Sequence, residues 1–450
     1  MTTTESETNT STSECSTHKS SFELSYTDIN DIEETVHSLL NDYISDNILL
    51  YSKSNFHGNI ENDITEFITN NLTDCGIIHN LTDYYKISRL VAIAIDMYFT
   101  NNKCANNIFN FTNRSHHITN VPSSMEKTFI DKQIKHLRRL PQPEQKTPEW
   151  YKYRHGLITA SNIYKVFASQ SQVNSLIYEK CKPFVEKEIT YNNYNLHSNS
   201  SLQWGVLYEA VSVLLYEYLN DTTISDFGCI QHEKYNFIGA SPDGINTNPN
   251  SNLYGRMIEI KNVVNRDITG IPKEEYWIQT QIQMETCDLN ECDFIETRFK
   301  EYDEIDQFYT DVTKQRGIIL CFITNDNTNS PPTYVYSKMD LTIDMDIVQK
   351  WIEYEKGLKS DKFILFNTRY WYLDEYSCVL IKRNVKWFEA ALPKIKDVWN
   401  TIENERNAGY EHRATKKKTL GQCVFVSMEN DDVRTLHNMN PSNNLSIVKL

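Results

Sequence analysis

Between Ile238 and Lys261 the chain reads Ile-Gly-Ala-Ser-Pro-Asp-Gly, then a loop, then Met-Ile-Glu-Ile-Lys. The alternation in Ile258-Glu259-Ile260-Lys261 predicts a strand. A period of two puts the isoleucines on one face and Glu259 with Lys261 on the other. Asp243 stands sixteen positions before Glu259, in a Pro-Asp-Gly turn. Two carboxylates and a lysine converging on one point suit a hard divalent cation and a phosphate. Oxygen ligands hold the ion, and the ammonium supplies a point charge or polarises a water. A Glu-x-Lys strand alone equally describes a solvated sheet edge, so the rest of the chain decides its meaning.

A chain of 450 residues, 40% hydrophobic and 23% charged, is long enough for two or three domains and a substantial core. No apolar run approaches the roughly 18 residues that span a bilayer, so no membrane partner is expected. The start, Met-Thr-Thr-Thr-Glu-Ser-Glu, lacks the basic and apolar regions of a secretory signal. The 10 cysteines form no Cys-x-x-Cys pair, which argues against a zinc ribbon, a disulfide scaffold or an iron–sulfur site. An intracellular, reducing compartment is expected. With a net charge of −15, any surface for nucleic acid must be a local basic patch.

Residues 1–21 are rich in Ser, Thr and Glu and are expected to be a disordered tail. A helical N-terminal module follows over 22–112. Its first helix starts at a Thr27 or Asp28 cap, a second short helix covers Ile64–Asn71, and a third covers Asp83–Phe99. The sequence names no partner for this module. Asn113 to Ser124 suits a linker. Glu126–Leu140 predicts a basic helix with Lys127, Lys132, Lys135, Arg138 and Arg139, ended by Pro141 and Pro143.

Thr147 caps the next helix, with Pro148 at its first position. Trp150 and Arg154 share a face at a spacing of four. Thr159-Ala160-Ser161 reads as a second cap, opening a helix over Asn162–Phe167. A helix N-terminus with a serine and a nearby arginine suits phosphate. After an Asn-rich loop, Leu202–Glu217 forms an amphipathic helix with Glu209 beside its apolar stripe. Strands are expected at Gly228–Glu233, Asn236–Ser241 and Met257–Val263. A helix over Glu274–Thr286 then carries Tyr276, Gln279 and Gln283 on one face, with Gln281 next to it. Further strands are expected at Asp293–Phe299, Gly317–Phe322 and Thr333–Ser337. This order predicts an α/β core over 126–340 built on a central mixed β-sheet flanked by helices. An extension over 341–410 adds helices at Ile343–Glu355 and Val385–Asn404 around a strand-like stretch, Tyr370–Ile381. A polar, partly basic tail, 411–450, contains Arg413, Lys416, Lys417 and Lys418.

In combination these blocks are specific. Glu209, then Ser241-Pro-Asp243, then Glu259-Ile-Lys261, then a Gln-bearing helix resembles the PD-(D/E)xK nuclease superfamily, with its restriction-endonuclease-like core. The flanking words Trp150-Tyr-Lys-Tyr-Arg154, Ile158-Thr-Ala-Ser161, Trp204-Gly-x-x-Tyr-Glu209 and Tyr276-x-x-Gln279-x-Gln281 narrow it. They resemble the lambda-exonuclease-like, YqaJ-type viral recombinase family, in the versions carried by large DNA viruses. The resemblance covers roughly residues 126–300.

It implies a metal-dependent exodeoxyribonuclease that resects linear double-stranded DNA 5′→3′ and leaves 3′ overhangs for recombination, repair or replication. Asp243, Glu259 and the Ile260 carbonyl would hold Mg²⁺, with Mn²⁺ as a substitute, and Glu209 would serve a second metal or its water. Lys261 would orient or deprotonate the attacking water, and Gln279 would position the water or Lys261. Arg154, Ser161 and Ser241 would grip the 5′-phosphate. Trp150, Tyr276 and Gln281 would support the site. Double-stranded DNA ends, a single-strand annealing protein and further copies of the chain are the implied partners. A viral protein of this kind would work in the host cytoplasm or nucleus or travel in the virion. Where some family members have Cys-Pro after the lysine, this chain has Asn262-Val263, which leaves the next loop and Arg266 unassigned. The alternatives are an endonuclease or RNA-acting nuclease of the same fold, or a non-catalytic DNA-binding scaffold.

Overall fold

A computed structural model describes residues 24–101, 122–145, 147–185, 201–324, 332–359 and 362–414. The expected N-terminal tail, most of the 113–124 linker, the Asn-rich loop and nearly all of the C-terminal tail lie outside the described residues.

Three long helices open the chain: α1 (Tyr26–Asp46), α2 (Phe56–Asp74) and α3 (Leu81–Asn101). The cap of α1 is Ser25, earlier than Thr27 or Asp28, because Asp28 closes a reciprocal capping box with it. Helix α2 is far longer than Ile64–Asn71, because buried Phe56 and Ile60 extend its apolar stripe toward the N-terminus. The module docks through the 3₁₀ turn Ile48–Ser52. Ser52 and Lys53 donate to Glu274 at 3.1 and 2.7 Å, and the Tyr51 ring lies 5.9 Å from Trp277.

Next come α4 (Ser124–Leu137), α5 (Pro148–His155), β1 (Ile158–Thr159), α6 (Ala160–Ile163), the 3₁₀ turn Tyr164–Phe167, α7 (Gln170–Cys181) and α8 (Ser201–Asn220). Helix α4 stops three residues short of Leu140, before the prolines. The predicted helix over Asn162–Phe167 is split into α6 and the 3₁₀ turn. The strands β2 (Ile224–Ser225), β3 (Ile230–Gln231), β4 (Ile238–Ala240), β5 (Gly244–Asn246) and β6 (Met257–Asn262) follow. The expected pair Gly228–Glu233 and Asn236–Ser241 thus shrinks to two short strands. Helix α9 (Glu274–Cys287) leads into β7 (Glu291–Glu301), α10 (Ile305–Thr310), β8 (Arg316–Thr324), β9 (Thr333–Tyr336), α11 (Met345–Leu358), β10 (Phe363–Lys382) and α12 (Val385–Ala408).

The expected α/β architecture is present. A seven-stranded sheet runs β2-β5-β6-β7-β10-β8-β9, and a small one runs β1-β4-β3. The large sheet is mixed: β6 and β7 are parallel, while every other neighbouring pair is antiparallel. Parallel pairing needs a crossover, which α9 supplies. Strand β10 is 20 residues long because it pairs with β7 along one half and β8 along the other, with a register shift in each ladder. No described helix is long and apolar enough to cross a membrane.

Helix α8 lies across the sheet on three polar pins spaced by four residues. Tyr208 reaches Glu301 at 3.0 Å, Ser212 meets Thr297 at 3.0 Å, and Tyr216 reaches Asp293 at 2.6 Å. Four residues advance about 6 Å along a helix but about 13 Å along a strand. Short side chains therefore meet only in the middle, and the outer pins need the length of tyrosine.

Candidate active site

Strand β6 carries Glu259 and Lys261 to one spot, as the alternation requires. Lys261 donates to Glu259, whose carboxylate is 1% exposed. Gln279 and Gln283, one turn apart on α9, donate to the two oxygens of Glu259 at 2.8 and 2.6 Å. Gln283 also approaches the Ser241 carbonyl at 3.2 Å. Asp243 lies just before β5, and its carboxylate accepts the Ile260 amide at 2.7 Å. The N–H and C=O of one strand residue point to the same edge, so the Ile260 carbonyl is directed toward Asp243.

The electrostatics follow from crowding. Burial, then the Glu259 charge, and further the Glu209 charge, raise the Asp243 carboxyl well above the usual carboxylate range, against the pull of Lys261. Burial favours the neutral amine of Lys261, but Glu259 and Asp243 outweigh it and hold Lys261 as an ammonium. Tyr276 stacks on Phe294 and lies under this ammonium, 5.0 Å from it. Arg266 stands over the same ring at 5.7 Å and pairs with buried Glu296 at 2.5 Å.

Glu209 and Asp243 line one cleft of about 620 Å³, together with Arg138, Gln142, Gln145, Asp226 and Phe227. Its wall after α4 is pinned by glutamines. Gln142 accepts from the Gly228 amide at 2.8 Å, and Gln145 donates to the Phe227 carbonyl at 3.0 Å. A Cβ at Gly228 would come within 2.9 Å of the Pro143 carbonyl, so this approach needs glycine.

Two residues before Asp243, Ser241 begins a second cluster. Arg154 donates to Ser241 at 3.2 Å and to Ser161 at 3.3 Å, and Thr159 lies 3.3 Å from Ser161. The guanidinium sits 4.3 Å over the Trp150 ring, as their spacing on α5 requires. Behind it, Lys180 is 3% exposed and donates to the Arg154 carbonyl at 2.9 Å. Burial pushes the Lys180 amine down to about 8. The buried Cys229 thiol faces Arg154 and Ser241; burial raises it and the Arg154 charge opposes that rise.

The fold therefore brings Glu209 and Asp243 to one cleft, joins Glu259, Ile260, Lys261 and Gln279 to Asp243 through hydrogen bonds and charge, and gathers Trp150, Arg154, Ser161 and Ser241 in the neighbouring cluster. Gln281 is elsewhere: it donates to the Lys382 carbonyl at 2.9 Å and accepts from Asn384 at 2.7 Å, at the start of α12. Two residues of helix turn a side chain to the far face, whereas four return it. Gln283, on the same helix face as Gln279, is the second glutamine that holds Glu259. Lys180 and Cys229 carry no signal in the sequence, because only the tertiary fold brings them to Arg154.

Among the described residues no three His, Cys, Asp or Glu side chains are grouped closely enough to hold a metal ion. The donor chemistry nonetheless fits a hard cation. Asp243 is destabilised by the neighbouring charges of Glu259 and Glu209, and Lys261 supplies the compensating positive charge.

The mixed sheet thus carries an acid–lysine strand beside an arginine that donates to two serines. Residues 149–290 match the model of the YqaJ-like viral recombinase domain. An uncharacterized protein, R354, of Acanthamoeba polyphaga mimivirus is 28% identical over 308 residues, which cover 59% of this chain and 54% of that protein. The chain thus spans about half the length of this curated relative. The alkaline exonuclease LHK-Exo from Laribacter hongkongensis is 18% identical with a TM-score of 0.34, over 58% of this chain and 95% of its own. Its complex with dAMP gives the same values.

Proposed function

We propose that this chain is a metal-dependent exodeoxyribonuclease that resects linear double-stranded DNA 5′→3′ from phosphorylated ends, leaving 3′ overhangs for viral recombination, repair or replication. One observation carries the reading: Ser241, which accepts from Arg154, lies two residues from Asp243. An anion cradle is thereby continuous with the acid–lysine site, so a strand end gripped at one would offer its next phosphodiester to the other.

In this reading Asp243, Glu259 and the Ile260 carbonyl would hold Mg²⁺ or Mn²⁺, and Glu209, which lines the same cleft as Asp243, would serve a second metal or its water. When bound, the ion supplies charge to the non-bridging phosphate oxygens and lowers the pKa of a water. The chain's own residues do the rest. Lys261, held as an ammonium, donates to the water or to the phosphate as charge builds on it. Gln279 and Gln283 fix the Glu259 carboxylate and thereby the position of Lys261. Arg154, Ser161 and Ser241 bind the terminal 5′-phosphate by charge-assisted hydrogen bonds. A single-strand annealing protein and further copies of the chain are the partners this activity would call for.

The test is a time course on linear duplex labelled at the 5′ or the 3′ end, with and without 5′-phosphate, in Mg²⁺ or EDTA. The reading expects early release of the 5′ label, dependence on Mg²⁺ and faster decay of phosphorylated ends. Cleavage of covalently closed circles at a comparable rate supports an endonuclease instead. Absence of cleavage under all conditions supports a non-catalytic scaffold.

A further inference from the structure

Asn262 follows Lys261 on β6 and makes contacts that the cleavage chemistry leaves unexplained. Its Nδ2 donates to the Gly205 carbonyl at 3.0 Å, while its Oδ1 faces the hydroxyls of Ser212 at 2.8 Å and Thr297 at 2.6 Å. Ser212 and Thr297 are wholly buried, 3.0 Å apart. Each hydroxyl carries one proton, so two of the three oxygen contacts are hydrogen bonds at any time. The amide orientation is dictated: a carbonyl on one side needs a donor, and hydroxyls on the other need an acceptor.

The placement of these partners is specific. Gly205, Glu209 and Ser212 are spaced by four and three residues on α8, so they share one helix face. Asn262 grips that face one turn before Glu209 and one turn after it. The same side chain is adjacent in sequence to Lys261 and cross-strand to Thr297 of β7. Tyr208, Ser212 and Tyr216 pin α8 to β7, whereas Asn262 ties the helix to β6, the strand that carries Glu259 and Lys261. A three-way polar contact built on two wholly buried hydroxyls fixes register, and it is costly to leave partly satisfied.

We propose that Asn262 is a positioning residue. It locks the helix bearing Glu209 onto the strand bearing Glu259 and Lys261, and so sets where Glu209 stands relative to those two residues. The inference rests on the nuclease reading above, in which Glu209 works with Asp243 and Glu259. It gives the segment after the lysine a role that the pair Asn262-Val263 had left open.

The test uses the full chain with Asn262→Ala, Ser212→Ala, Glu209→Gln and the double variant Asn262→Ala/Glu209→Gln. Two readouts are taken: kcat and KM on linear duplex, and the Mn²⁺ concentration at half-maximal shift of the melting temperature. Loss of a group that orients a metal-site residue reduces affinity or activity by roughly 10–100-fold. Asn262→Ala is therefore expected to lower kcat by at least about tenfold with KM little changed, and to raise the half-maximal Mn²⁺ concentration by a similar factor. In the Glu209→Gln background the same change should cost less than about threefold, because coupled residues are non-additive. If Asn262→Ala does not fold, Ser212→Ala carries the same comparison with a smaller expected loss. Wild-type kcat and Mn²⁺ response in a folded Asn262→Ala, or in Ser212→Ala where the former does not fold, would overturn the proposal. So would an equal loss with and without Glu209. A wild-type protein that neither cleaves duplex nor responds to Mn²⁺ overturns the nuclease reading itself, and this inference with it.

Discussion

Gln283 donates to the inner oxygen of Glu259 at 2.6 Å, one helical turn beyond Gln279, which holds the outer oxygen at 2.8 Å. The carboxylate is thus fixed by two amides and a lysine. Removing the inner amide leaves a buried acceptor short of a donor, which costs roughly 1–3 kcal/mol. Gln283→Ala should lower the melting temperature by several degrees and reduce kcat about tenfold or more. Thermal denaturation and steady-state kinetics check both effects; a variant equal to wild type in each would remove Gln283 from the site.

Arg154 offers one guanidinium to Ser241 and Ser161. A hydrogen bond to a charged group contributes roughly 1.5–3 kcal/mol, equivalent to about ten- to a hundredfold in binding. Arg154→Ala should lose the wild-type preference for 5′-phosphorylated over 5′-hydroxyl ends by about that factor. Competition between the two substrates measures it directly, and a preference that survives would place end recognition elsewhere.

Lys180 gives a pH signature. Its amine titrates at about 8 in the folded chain and at the ordinary 10.5 when unfolded. Between these values the unfolded chain binds more protons, so this group's contribution to stability rises with pH. Below about pH 8 it is charged in both states and its burial penalty is fully present, at most about 3 kcal/mol. Lys180→Met should therefore stabilise the fold most near pH 7, with the gain shrinking toward pH 10. The difference in melting temperature between variant and wild type, followed over that range, checks the sign. A pH-independent difference would contradict it.

Arg256 is 1% exposed and pairs with Asp293, wholly buried, at 3.3 Å and with Glu291 at 2.8 Å. Arg256→Leu strands the Asp293 charge and should destabilise by about 3–5 kcal/mol. The double change Arg256→Leu/Asp293→Leu should cost less than the single one. Denaturant unfolding of the three proteins decides it, and a double variant less stable than Arg256→Leu would contradict the expectation.

The site was legible where chemistry and periodicity coincide. Ile258-Glu259-Ile260-Lys261 alternates on a strand, Trp150 and Arg154 stack at helical spacing, and Ser241-Pro-Asp243 closes a turn. The mixed sheet followed from the order of elements. Gln281 enters through the resemblance, in Tyr276-x-x-Gln279-x-Gln281, whereas helical spacing already puts Gln279 and Gln283 on one face, the one that meets Glu259. Strands β1 and β2 have two residues each, too few for a period to appear. Asn262, Lys180 and Cys229 act through partners 12 to 75 positions away, and no local pattern records that.

In the proposed function Lys261, held beside Glu259 and Asp243, acts in phosphodiester hydrolysis. The direct measurement is the rate at which Lys261→Ala, verified as folded, degrades 5′-phosphorylated linear duplex in Mg²⁺. A positioned proton-transfer or charge-stabilising side chain contributes roughly 10²–10⁴-fold, so a loss of that size is predicted with DNA binding retained. Degradation at the wild-type rate would contradict the account.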